Sequence, residues 1–334
     1  MSRETPQGSI VRSLCKEFPN TGNLSLAKIA VRDHPLVFSS VEQARTLIRG
    51  VRGALGNRSR KSPDKSLHKT PGTAGDAWKN FPKGIVEAPW KPFIIKGPSR
   101  CLVLSDIHIP FHDERALLAA LRYGIDHKAD TILLNGDIAD CHAVSKYQTD
   151  PEQRNFKREI ERTREFFAIL RLMFPNARII LKLGNHEERW EKYLYLKAPE
   201  IAGVEEFRFD QIFHCADYGI EVVRDQQEIR LGRLTVMHGH EWPGGISSPV
   251  NPARGLLLKG GVNALAGHLH RTSQHSQTNM RGEVVSTWST GCLCDLHPRY
   301  CRINAWNLGF AFVTTDKAGV FEVQNLRIIE GEVY

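Results

Sequence analysis

At 334 residues the chain exceeds one average domain, and its 41% hydrophobic content can fill a core without disulfide staples. No apolar run approaches the ~18 residues of a membrane span, and MSRETPQGSI lacks the apolar stretch of a secretory leader. Seven cysteines, none in CxxC spacing, read as reduced thiols, so a cytoplasmic chain with no membrane contact is expected.

The net charge of +8 is unevenly placed. Residues 1–100 hold 18 basic and 7 acidic side chains, whereas 101–334 hold 27 and 30. In chain order, three short helical patterns come first. Ser9 to Phe18 is amphipathic and stops at Pro19-Asn20. A second runs from about Ser25 to Val31. The third begins at Ser39, with Glu42 completing a capping box, and its apolar residues Val41, Ala44, Ile48, Val51 and Leu55 recur at helical spacing. Arg45, Arg49 and Arg52 fall along another face. Residues 1–55 are therefore expected to form a three-helix, helix-turn-helix-like unit that contacts DNA or RNA through these arginines. The alternative is a small docking bundle with solvated arginines. Residues 56–98, basic and rich in Pro, Gly and Ser, read as a linker.

From 99 to 334 strands alternate with helices, which predicts an α/β domain. Strands are expected at 102–104, 131–134 and 178–183, with helices at 114–127 and 152–174. Shorter β segments follow at 220–223, 234–237, 264–266, 283–287, 311–315 and 320–323. An early parallel half and a later β-rich half predict two packed sheets with helices outside.

Five of these strands end in polar clusters. They are Asp106-Ile-His108, Asn135-Gly136-Asp137-Ile-Ala-Asp140, Gly184-Asn185-His186-Glu187, His238-Gly239-His240 and Gly267-His268-Leu269-His270. Sites in open α/β sheets form beyond the carboxyl ends of strands, so these clusters are candidates for one site. Asp, Asn and His without Cys suit harder or borderline divalent ions in a catalytic setting. Seven donors (Asp106, His108, Asp137, Asn185, His238, His268 and His270) exceed the needs of one tetrahedral ion and fit two ions sharing a carboxylate, an arrangement suited to displacement at phosphorus.

The ordered set DxH, GDxxD, GNHE, H and GHxH resembles the calcineurin-like metallophosphoesterases over residues 100 to at least 271. It is closest in type to phage and prophage members and to the phosphodiesterase and DNA-repair exonuclease branch. The resemblance implies a two-sheet αββα sandwich, here preceded by the three-helix unit, and a dinuclear centre with manganese as the first expectation and iron, zinc or nickel as alternatives. It places Asp106, His108 and His270 on one metal, Asn185, His238 and His268 on the other, and Asp137 between them. It also implies attack by a metal-bridging hydroxide, with His186 as the acid and Asp140 orienting it. His112, His142, His240 and Arg271 are further candidates for substrate contact. The protein phosphatases of the superfamily continue as GDxxDRG, their Arg gripping phosphate, whereas Cys141-His142 stands here.

The expected activity is phosphodiester hydrolysis on a nucleic acid or nucleotide. The alternatives are a phosphomonoesterase acting on a phosphoprotein or small metabolite, and a DNA-binding or scaffold protein with a vestigial esterase site.

Overall fold

A computed structural model describes residues 5–53, 81–85, 90–147, 152, 154–224, 226–246 and 250–334. The chain divides into two compact units, Met1–Ala88 and Pro89–Tyr334. Most of the stretch read as a linker, residues 56–80 and 86–89, lies outside the described residues, as does Leu55 of the third helical pattern.

In the first unit, α1 (Pro6–Glu17), α2 (Asn23–Asp33) and α3 (Val41–Val51) enclose Val11, Leu14, Cys15, Leu26, Ala27, Ala30, Phe38, Ala44 and Ile48. Pro6 starts α1 because its missing N–H is one the first turn would leave unpaired, and the Thr5 hydroxyl accepts from Gly8 N. The cap of α3 lies one residue later than the sequence predicts. Ser40 Oγ accepts from Gln43 N, and Gln43 Oε1 reaches one residue further back to accept from Ser39 N at 2.8 Å, so Ser40 is the cap and Gln43 takes the place expected of Glu42.

Arg52 also departs from expectation. Its guanidinium donates to the carbonyls of Phe18, Pro19 and Thr21 and to Asn23 Oδ1 at 2.7–3.2 Å. It closes the α1–α2 turn, so it is not part of an outward basic face. Arg45 lies 3.4 Å from Glu42, and Arg49 is half-buried on α3.

The second unit contains two sheets. One is ordered β13-β12-β11-β2-β3-β4-β5, where β2 is Ser99–Leu104, β3 Thr131–Asn135, β4 Arg178–Lys182, β5 Ile220–Val223, β11 Gly309–Thr315, β12 Phe321–Ile329 and β13 Glu332–Val333. The strands β2 to β5 run parallel, and β11 joins the free edge of β2 antiparallel. The other sheet is ordered β1-β6-β7-β8-β10-β9, with β1 Phe93–Ile95, β6 Ile229–Leu231, β7 Leu234–Met237, β8 Ala264–Ala266, β9 Ser273–Thr278 and β10 Val284–Ser289. Two corrections follow. Strand β5 and the last three strands belong to the first sheet instead of to a late β half. Residues 93–95, read as linker, pair in parallel with β6.

Alternation along the strands builds the layers. Cys101, Val103, Leu133 and Ile180 face inward onto Ile229, Leu234, Val236, Leu265 and Trp288 of the other sheet. Leu102, Leu104, Ile132, Leu134, Ile179 and Leu181 face outward, where Leu117 and Leu121 of α4 (Glu114–Asp126) and Phe167 and Leu170 of α5 (Phe156–Met173) cover them. Two short helices, α6 (Glu188–Lys197) and α7 (Phe209–Ile212), follow β4. On the second sheet Leu256 of α8 (Pro252–Gly260) packs on Met237, Ala264 and Ala266. The result is a two-sheet sandwich with helices on both outer faces. Among the described residues no helix is long and apolar enough to cross a membrane.

Candidate active site

The carboxyl ends of β2, β3 and β4 in one sheet and of β7 and β8 in the other bring the five polar clusters together. Each strand stops where its backbone leaves extended geometry. Asp106, His108, Asp137, Cys141, His268 and His270 all have φ between 48° and 67°, a region that side chains other than glycine rarely occupy. Gly136 and Gly184 allow the loops to touch. A Cβ on Gly136 would stand 2.5 Å from His238 Nδ1, and one on Gly184 would overlap the Asp137 carboxylate.

The geometry forms two neighbouring groups. In the first, His270 Nε2 lies 3.1 Å from Asp106 Oδ1 and 3.3 Å from His108 Nε2, which is itself 3.9 Å from Asp137 Oδ2. In the second, Asp137, His238 and His268 present ligand atoms within 4.8 Å of one another. His238 Nε2 is 3.2 Å from Asp137 Oδ2, an ion-pair contact, and is buried without a hydrogen bond. Asn185 Oδ1 is likewise buried and unsatisfied. Buried donors and acceptors are normally paired, and these two are the atoms through which His and Asn would bind a divalent ion. The residues present therefore fit a dinuclear metal centre. A thiol stands behind the first group, with Cys294 Sγ 4.0 Å from His270 Nδ1, and sequence reasoning did not include it.

Charge coupling runs through the cluster. Burial opposes ionisation of Asp106, Asp137 and Asp140, yet the surrounding imidazoles outweigh it and hold all three carboxyls below their ordinary range. Burial alone would lower His238, but Asp137 and Asp106 lift it to about 10. His268, half-buried beside His238, is lowered to about 4 by desolvation and by that neighbour's charge.

Asp140 serves two rings. Its Oδ1 lies 2.8 Å from His108 Nδ1 and 2.9 Å from His186 Nδ1, and its main-chain oxygen is 3.0 Å from the same His186 nitrogen. The loops are held by carboxylates that sequence reasoning left without a role. Glu187 accepts from the backbone N–H groups of Gly184, Asp137, Ile138 and Ala139 at 2.6–3.0 Å. Glu241 accepts from His238 N and Gly239 N and pairs with the fully buried Lys182 at 2.9 Å. Glu159 accepts from His142 N and Ala143 N behind Asp140.

Of the other candidates, His142 Nδ1 is 3.4 Å from Asp140 Oδ2, and His112 Nδ1 is buried without a hydrogen bond. His240 Nε2 is engaged by Glu188 at 3.0 Å. Arg271 follows His270 and is half-buried. One cation was missed altogether. Arg189, in the first turn of α6, places Nη2 2.6 Å from His186 Nε2 and donates from Nη1 to Asp140 O at 2.9 Å.

The chain is similar to several known proteins. The model of the calcineurin-like phosphoesterase family matches residues 99–296. The Gene 54 proteins of Mycobacterium phages L5 and D29 are each 26% identical to the chain over 231 and 232 residues, covering 65% of this chain and 89% of each relative. A Vps29 single mutant from Entamoeba histolytica is similar at 13% identity and a TM-score of 0.37, over 70% of this chain and 96% of that one. The phosphoesterase YfcE from E. coli is similar at 14% identity and a TM-score of 0.32, over 68% and 98%. The chain belongs to the calcineurin-like phosphoesterase family, hydrolases of phosphoric esters.

Proposed function

We propose that this site hydrolyses phosphodiesters of nucleic acids or nucleotides with the help of two divalent cations, manganese foremost. The observation that carries the hydrolytic reading is the convergence of seven Asp, Asn and His donors with Asn185 Oδ1 and His238 Nε2 buried and unsatisfied. Asp106, His108 and His270 would hold one ion, Asn185, His238 and His268 the other, and Asp137 both. When bound, such a pair supplies positive charge for phosphoryl oxygens and lowers the pKa of water. The chain's own residues do the rest. Asp140 accepts from His186 Nδ1 and fixes that ring, so that Nε2 is the atom to hand a proton to the leaving oxygen. Glu187 and Glu241 tie the Asp137 and His238 loops by their amides, so the donors are held ready before substrate arrives.

The diester preference is supported by the basic excess of residues 1–100 and by Cys141-His142 after Asp140, where a phosphatase-type Arg would stand. Delivery of nucleic acid by Arg45 and Arg49 belongs to the same reading. The phosphomonoesterase alternative has one observation in its favour, the Arg189 guanidinium beside His186, which could meet the second charge of a monoester.

Turnover of bis-p-nitrophenyl phosphate, single-stranded and duplex DNA, RNA, cyclic nucleotides and p-nitrophenyl phosphate should be compared in Mn²⁺. Chelator-sensitive cleavage with diesters ahead is expected. No turnover across a panel of metals overturns the catalytic reading, and monoester turnover ahead of every diester overturns the diester preference.

A further inference from the structure

We infer that Arg189 is the phosphate-gripping residue of this site: its guanidinium takes non-bridging oxygens of the substrate and, in doing so, uncovers His186 Nε2. This inference rests on the phosphoesterase reading of the centre and concerns the non-bridging oxygens that both ester classes carry, a monoester adding a second charge for the same fork. Arg189 stands three residues beyond His186, at the start of α6, so its side chain returns over the ring. Nη2 is 2.6 Å from His186 Nε2, Nη1 donates to Asp140 O at 2.9 Å, and the nearest Asp140 carboxylate oxygen is 3.8 Å away. The side chain keeps 18% of its surface exposed, which places it at the mouth of the cluster.

Other arginines of the chain show what a structural role looks like. Arg171 donates to the carbonyls of Phe174, Pro175, Ala177, Tyr218 and Gly219. Arg178 forms a two-pronged pair with Glu221, both contacts at 2.7 Å. Arg189 has neither arrangement. One of its contacts is a ring nitrogen, its closest oxygen is a neutral carbonyl, and among the described residues no carboxylate meets it at hydrogen-bond distance. Five N–H donors in a planar fork are thus held beside the proposed acid with most of their capacity unmatched by negative charge. A tetrahedral phosphate offers two oxygens at the spacing of that fork. The geometry also makes the two roles interdependent. While Arg189 donates into His186 Nε2, that nitrogen carries no proton; an arriving phosphate gives the guanidinium a stronger acceptor, and the freed Nε2 then takes a proton from solvent before handing it to the leaving oxygen. Cys141, where the phosphatase pattern has its Arg, is fully buried and cannot supply the charge.

The test uses the full chain loaded with Mn²⁺, with inorganic phosphate as the probe. Phosphate affinity would be measured by calorimetry and by inhibition of bis-p-nitrophenyl phosphate turnover, with bound metal counted by atomic emission. Arg189→Gln should weaken phosphate about 10- to 100-fold, the loss of charge-assisted hydrogen bonds, with metal content unchanged. Arg189→Lys keeps the charge without the fork and should weaken phosphate by a smaller factor, and it stands in if the Gln variant fails to fold. Added guanidinium should restore part of the turnover of Arg189→Ala. Slower turnover with unchanged phosphate affinity in any folded variant would mean that Arg189 only braces His186, and overturns the inference. A wild-type protein that neither turns over esters nor binds phosphate overturns the esterase reading beneath it instead.

Discussion

Two arginines, one in each compact unit, differ in what their guanidinium groups meet. Arg52 in the helical unit and Arg189 at the strand-end cluster both fold their guanidinium groups back onto the protein. Arg52 meets four oxygens, with its Nε left over, and ties together the turn between α1 and α2. Arg189 meets one carbonyl and one imidazole. The backbones differ in the same sense. Among the described residues of the helical unit only Gly53 has a positive φ, whereas six non-glycine residues of the cluster do. Well-matched polar groups on relaxed backbone belong to structure. Unmatched ones on strained backbone are tolerated where a ligand will complete them.

The strongest way to break the comparison is at Asp137, the carboxylate common to both halves of the cluster. Asp137→Asn should lower chelator-sensitive turnover by at least about 10³-fold, because the negative charge of the carboxylate that would serve both ions is lost. Bound metal should fall with it. Full metal content and full turnover in a folded variant would remove Asp137 from the centre.

Arg52 sharpens the other side. Arg52→Met retains the aliphatic stem and removes the donors, leaving carbonyls of the α1–α2 turn unpaired, at a cost of about 3 kcal/mol. Amide exchange protection across α1 to α3 should drop accordingly, while the metal content of the protein stays unchanged. Unaltered protection would show that Arg52 is no closure at all and would restore it to the basic face.

The five motifs were legible because strand and ligand are local neighbours. A short apolar run such as Leu102–Leu104 or Ala264–Ala266 predicts a buried strand, and the polar residues directly after it fall at its end. The partners of those residues were not legible. Glu187 reaches amides about fifty positions away, and Lys182 meets Glu241 across two sheets. Cys294 comes beside His270 only because the chain after β10 turns back over the sandwich. Helix α6 escaped notice since Leu194 is its one buried residue, too little to make an apolar stripe. With α6 unseen, Arg189 had no reason to stand out. Local patterning also cannot say which edge a late strand will join, so the return of β11 to β2 had to come from the fold.

The smallest expected effect lies just behind the cluster, at a carboxylate whose hydrogen bonds are made but whose charge is not compensated. Burial raises Glu159 to about 7, against the opposing pull of the Ala143 and His142 amides. Because the folded value lies above the unfolded one, the stabilising form is the protonated one. Its contribution is fully present below about pH 4.5 and is lost as pH rises through about 7. Glu159→Gln keeps an acceptor for one of the amides and removes the titration. The stability of wild type should therefore fall relative to the variant by on the order of 2 kcal/mol between pH 5 and pH 8, read from paired denaturant midpoints. Parallel curves for the two proteins would show that the negative charge is already compensated at this position. The loop carrying Asp140 would then rest on an ordinary ionised brace, and the uncompensated charge of the region would be confined to the cluster itself.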